Sequence, residues 1–118
     1  MSIRPLFAAV AVLALAGCAT DPAPIEQMRL TEQAITQAKA VGATADELPE
    51  MKLAEDKFNR AKGNMTDESF KNARMRAEQA ELDARLAEAK VLTQKSEEQL
   101  NVLNTRIIRL RKQLGDAQ

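Results

Sequence analysis

From Thr66 to Leu114 the chain contains neither glycine nor proline, the two residues that most reliably interrupt an α-helix. Alanine, leucine, glutamate, lysine, arginine and glutamine dominate the stretch, and all are strong helix formers. It therefore reads as one helix from Asp67 to Leu114, 48 residues and roughly 72 Å long at ~1.5 Å per residue. A single rod has no interior. Whatever else the chain folds into must pack along it.

What else there is can be read from the punctuation. Glycine occurs at positions 17, 42, 63 and 115, and proline at 5, 22, 24 and 49. Helix one is expected from Ile25 to Val41, with Ile25, Met28, Ile35, Ala38 and Val41 as its apolar face and Gly42 at the left-handed position after it. "ATADELP" connects it to helix two, where Pro49 fits only the first turn. Helix two is expected from Leu48 to Lys62, with Met51, Ala54, Phe58, Ala61 and Met65 on one stripe. Gly63-Asn64 should end it. Thr66 should then N-cap the long helix, with Asp67 and Glu68 at the positive end of its dipole. The fold class is all-α: a short helical hairpin packed on one long C-terminal helix, a three-helix bundle with a coiled-coil extension.

The long helix carries two seams. Phe70, Ala73, Ala77, Ala80, Ala84, Ala87 and Val91 form a narrow stripe of mostly alanine, where helices one and two can come close. On nearly the opposite face runs a heptad seam, with Leu86, Thr93, Leu100, Ile107 and Leu114 at a and Leu82, Ala89, Ser96, Leu103 and Leu110 at d. Its last third, Leu100, Leu103, Ile107, Leu110 and Leu114, lies beyond the reach of the hairpin. Large aliphatics exposed on one stripe mark an interaction site. A parallel pair of such helices would set Arg106, at g, against Arg111, at the following e. An antiparallel pair avoids this but separates the two N-terminal ends by roughly 70 Å. A partner helix with acidic flanks satisfies both the seam and its arginines. The expected partner is thus a second copy or an acidic helix, with Arg106 and Arg111 part of the contact surface.

The chain has one cysteine, Cys18. A lone cysteine can be a buried residue, a nucleophile or half of an intermolecular disulfide; here its neighbours bear on the choice. Met1 to Pro5 carries a single positive charge, at Arg4, and Leu6 to Gly17 is a 12-residue apolar run, short of the roughly 20 residues a membrane-crossing helix needs. This is the pattern of a secretory signal peptide. It closes on Leu15-Ala16-Gly17-Cys18, which resembles a lipobox, the processing site of bacterial lipoproteins. The resemblance implies cleavage before Cys18, S-diacylglycerol on its thiol and an N-acyl chain on its new amine. Several acyl chains anchor a protein stably where one holds marginally. The competing reading is an ordinary leader with an incidental cysteine. Ala19 follows the cysteine, not the Asp that resembles an inner-membrane retention signal, which favours an outer-membrane location facing the periplasm.

Removing residues 1–17 leaves 101 residues, enough for one small domain. Only Arg4 is lost among the charges, so 16 basic residues face 17 acidic ones, a balance that does not suggest a nucleic-acid partner. There is no His, Trp or Tyr. With Cys18 acylated, Ser69 and Ser96 have no histidine to activate them, and no enzyme, metal site or cofactor beyond the covalent lipid is expected.

The segments "AITQAKAVGA", "LPEMKLAEDKFNRAKG" and "ESFKNARMRAEQAELDARLAEAK" resemble the pattern of the alanine-rich bacterial lipoproteins called "domain of unknown function 4398", over about residues 25–90. That resemblance implies an outer-membrane lipoprotein and, as a partner, an OmpA-like envelope protein. The expected organisation is a leader at 1–17, a lipidated tether at 18–24, a three-helix core at 25–91 and a coiled-coil extension at 92–118. The expected function is that of a cell-envelope scaffold or adaptor held in the membrane by its lipid. The alternative is a helical module holding a small apolar or lipid ligand. A pocket lined by Met28, Met51 and Phe58 would favour that alternative, and close helix contact there would favour the scaffold.

Overall fold

The computed structural model describes residues 21–116. The leader and Cys18 lie outside them. The described residues form three helices, α1 (Ile25–Ala40), α2 (Pro49–Thr66) and α3 (Phe70–Gly115), with no strand among them. The hairpin of α1 and α2 packs along the first part of α3, as expected.

Hydrogen bonds and ion pairs give the directions. Arg74 Nη2 donates to the Pro22 carbonyl at 3.4 Å and Lys95 Nζ to that of Val41 at 2.7 Å, so α1 runs parallel to α3. Glu50 pairs with Lys90 at 2.5 Å and Lys57 with Asp83 at 2.6 Å, so α2 runs antiparallel to it. Lys39 and Glu55, 2.6 Å apart, tie α1 to α2. The bundle is up-down-up.

Alanine makes this packing possible. Ala73, Ala77, Ala80, Ala84 and Ala87 of α3 are all fully buried, and the last four share one core with Ala34 and Ala38 of α1 and Met51, Ala54, Phe58 and Ala61 of α2. A methyl side chain lets helix axes approach closely, and packing at interior density penalises any larger insertion. On α1 the buried stripe differs from the expected one. Ile25 is exposed, and Thr31 and Ala34 are core residues instead. Thr31 can be buried because its hydroxyl lies 2.9 Å from both the Gln27 and the Ala77 carbonyl oxygens. One polar side chain thus bridges α1 and α3.

The first helix ends as its glycine predicts. Gly42 has φ +102°, Gly42 N donates to Lys39 O and Ala43 N to Ala38 O, both at 2.9 Å. This is a Schellman motif, and the following Ala43 is buried beneath it. Leu48 is extended, as the residue before a proline should be, and Pro49 opens α2.

The second helix does not stop at Gly63-Asn64. It runs through them to Thr66, whose hydroxyl donates back to Lys62 O at 3.3 Å. A second Schellman motif closes it, with Ser69 N on Asn64 O at 2.8 Å and Glu68 N on Met65 O at 3.2 Å. Glu68 therefore takes the left-handed conformation, φ 56°. Thr66, Asp67 and Glu68 are the end of α2 and not the start of α3. The N-cap position of α3 is Ser69, whose hydroxyl accepts from the Asn72 amide at 2.9 Å and caps no backbone N–H. The physical reason is that a helical glycine costs only about 1 kcal/mol, and burial of Ala61 with partial burial of Asn64 and Met65 outweighs it.

Candidate interaction surface

α3 is 46 residues long, roughly 69 Å. It is unbroken through Thr93 and Ser96, where Ser96 Oγ folds back onto Leu92 O at 2.8 Å. Its tertiary support ends much earlier. Lys95 makes the last hydrogen bond to the hairpin, and every residue from Leu92 to Asp116 is exposed.

The change of support coincides with a change of face. The stripe that buries alanine from Ala73 to Ala87 continues down the helix as Lys95, Glu98, Val102, Thr105 and Arg109, which is largely polar. The apolar stripe of the arm, Leu100, Leu103, Ile107, Leu110 and Leu114, is rotated from it by roughly 140° at ~100° per residue. These five side chains are 44–72 % exposed. The sequence expectation placed them beyond the hairpin, and that is where they lie.

The electrostatics of the arm are one-sided. From Gln99 to Gly115 there is no acidic residue, while Arg106, Arg109, Arg111 and Lys112 are all present. None of the four takes part in a salt bridge among the described residues. Arg106 and Arg111 flank the seam as expected. Arg109 and Lys112, which the sequence reading did not single out, add to the same positive field on the outer faces. Their signal was simple: the charge count per segment. Val102 and Ile108 are also exposed apolars but lie off the seam; nothing in the structure explains Ile108.

In the base, two carboxylates are held by close partners. Glu81 accepts from Arg85 at 2.6 Å and from Gln27 at 2.8 Å, which together hold its pKa below the ordinary value. Lys90 does the same for Glu50, with a backbone hydrogen bond adding to it. Met51 has no exposed surface, and Met28 sits at the edge of the core. One concavity on the hairpin is an open groove between α1 and α2, lined by Ile35, Phe58, Lys39 and Glu55 among others. Lys62 Nζ covers the Phe58 ring at 4.4 Å. Of Met28, Met51 and Phe58, only Phe58 lines that groove. No helix among the described residues is long and apolar enough to cross a membrane.

The two ends of the rod differ. Asp21 lies beside Glu68, Ser69, Phe70 and Lys71 at the start of α3, so the chain enters at the end opposite the arm.

A family model described as "Domain of unknown function (DUF4398)" matches residues 26–103, which takes in the hairpin, the alanine stripe and the first part of the arm. Among solved structures, the crystal structure of a DUF4398 family protein from Pseudomonas aeruginosa PAO1 superposes with a TM-score of 0.78. It is 66 % identical in sequence, and the alignment covers 82 % of this chain and 100 % of that one. No curated protein matches the chain.

Proposed function

The chain belongs to the DUF4398 family, and from that premise we propose that it is an outer-membrane lipoprotein acting as a periplasmic scaffold or adaptor. Cys18 carries the lipid, the hairpin and the alanine stripe form a rigid base, and the arm of α3 engages a helical partner. The role is one of holding and presenting. It involves no catalysis and no cofactor beyond the covalent lipid. An OmpA-like envelope protein is one partner of the kind the reading admits.

The observation that carries the reading is the opposition of the two ends. The segment following Leu15-Ala16-Gly17-Cys18 enters at the base of the rod, and the exposed seam lies at the other end. A lipid at position 18 would direct the arm away from the membrane surface by up to roughly 69 Å. Close helix contact around Met51 supports this reading over one in which the bundle holds a ligand.

The test is chemical. Mass spectrometry of the membrane fraction should find a mature N-terminus at Cys18 bearing diacylglycerol and an acyl chain. The native protein should sediment with outer membranes on a density gradient, and Cys18→Ser should release it from them. Unchanged membrane attachment of Cys18→Ser would refute the anchor.

A further inference from the structure

The arm's seam is narrow. Its five aliphatics occupy about 80° of the helix surface at ~100° per residue, the width of an a/d seam and less than the broad face of a helix that lies in a membrane interface. The arm has no aromatic residue, where interfacial helices commonly use Trp or Phe. Its geometry is that of a coiled-coil strand without its mate. The residues beside the seam then indicate which mate fits.

At the e and g positions the arm reads Glu97, Gln99, Asn104, Arg106, Arg111 and Gln113. In an antiparallel pair a packs on d of the other strand, and e meets e while g meets g. One register makes this set complementary to itself. Centred on Thr105, it layers Leu100 on Leu110 and Leu103 on Ile107, each twice by symmetry, and closes with Ser96 on Leu114 at both ends. The same register brings Glu97 of each strand to Arg111 of the other, Gln99 to Gln113, and Asn104 to its own copy. Only Arg106 meets a like charge, and it is exposed. Moving one heptad toward the hairpin puts Arg111 against Lys90 and fills layers with Thr93 and Ala89. Moving one heptad the other way loses the Glu97–Arg111 pairs. A parallel pair sets Arg106 against Arg111 twice.

We infer that the arm's partner is a second copy of this chain, bound antiparallel through residues 96–114 in the register centred on Thr105. Glu97 and Arg111, too far apart on one helix to meet, serve as the specificity pair between copies. The polar break at Thr93 and Ser96 bounds the contact. Because α3 is nucleated within the folded base, the arm enters the pairing already helical. The hairpin lies on the opposite face and ends at Lys95, so it does not obstruct the partner. From Phe70 to Thr105 is 35 residues, so the N-terminal ends of the two α3 helices sit roughly 105 Å apart. Two anchored copies would therefore lie along one membrane or link two membrane surfaces. The inference rests on the arm being the interaction surface and not on the lipid. Loss of the anchor leaves the dimer, and a monomeric arm leaves the anchor.

Sedimentation of the full chain in detergent should show a concentration-dependent monomer–dimer equilibrium. Arg111→Glu would place two Glu–Glu contacts where two ion pairs stood and should weaken the dimer about tenfold. Glu97→Arg should weaken it similarly, and the double variant Glu97→Arg/Arg111→Glu should restore wild-type affinity to within about twofold. All these positions are exposed, so helicity and melting of the base should not change. Tightening by Arg111→Glu would instead report a parallel pair, with the new glutamate against Arg106, and would overturn the inference. So would a chain that stays monomeric at high micromolar concentration, whether or not its four cations bind phosphatidylglycerol vesicles.

Discussion

Glu68 shows how local strain is tolerated when a helix end is set from a distance. A left-handed conformation costs a non-glycine residue about 1–2 kcal/mol, yet the Schellman motif at the end of α2 requires it there. Five residues earlier Gly63 occupies an ordinary helical position, where an added Cβ would meet nothing within 4 Å. Glutamate and glycine thus stand where the reverse would be more stable. Glu68→Gly should raise the stability of the base by about 1 kcal/mol, and Gly63→Ala by about 0.5–1 kcal/mol, in urea unfolding. An unchanged midpoint for Glu68→Gly would mean that the glutamate side chain recovers the strain through a contact of its own. This is also where sequence reasoning failed. Glycine marks a helix end by its backbone freedom, and Gly42 does so, but Gly63 is carried through by the packing of the residues around it.

At the scale of the element, α3 is one helix with two kinds of support. Its first half is held by buried alanines; its second half by backbone hydrogen bonds alone. Most helical stability in proteins comes from tertiary packing of one face, which the arm lacks, so the arm should be the first part of the molecule to open. Hydrogen exchange should find amides 73–91 slowest, with protection falling beyond Lys95 and rising again across 100–114 as protein concentration drives pairing. If amides 92–99 exchanged at once while both flanks stayed protected in the monomer, α3 would be two helices with a hinge between them. The two seams were legible beforehand because helical periodicity is a local property. Which α1 residues met the alanine stripe was not, since Thr31 enters the core only because the Ala77 carbonyl lies across from its hydroxyl.

For the whole molecule, the hairpin is fastened to the rod by ion pairs at its rim as well as by its core. Glu50, paired with Lys90, and Glu81, which accepts from Gln27 of α1 as well as from Arg85 of its own helix, are half-buried parts of that fastening. Both have pKa values lowered from 4.5, the first chiefly by Lys90 and the second chiefly by Arg85. A carboxyl with a depressed folded-state pKa favours the folded state when ionised. Its contribution is complete above about pH 4.5 and is lost as pH falls through the lower folded-state value. Thermal melts should therefore be flat from pH 7 to about 5 and fall below 4.5. Glu50→Gln should lower the melting temperature at pH 7 and reduce the fall in acid. A melting temperature indifferent to pH down to 3 would show that these contacts contribute nothing to holding the hairpin.

The sequence by itself determined the number of helices, their order, the long unbroken α3 and both of its seams, along with the arginines beside the second. All of these follow from residue propensity and from periodicity along one chain, which need no knowledge of neighbours. Tertiary structure decided where α2 ends and which residues of α1 are buried. It also set the parallel course of α1 and α3 that puts the chain's entry and the exposed arm at opposite ends. Each of those depends on contacts between residues far apart in sequence, where burial of a few alanines and one shared hydroxyl outweighs the local preference of a glycine or a threonine.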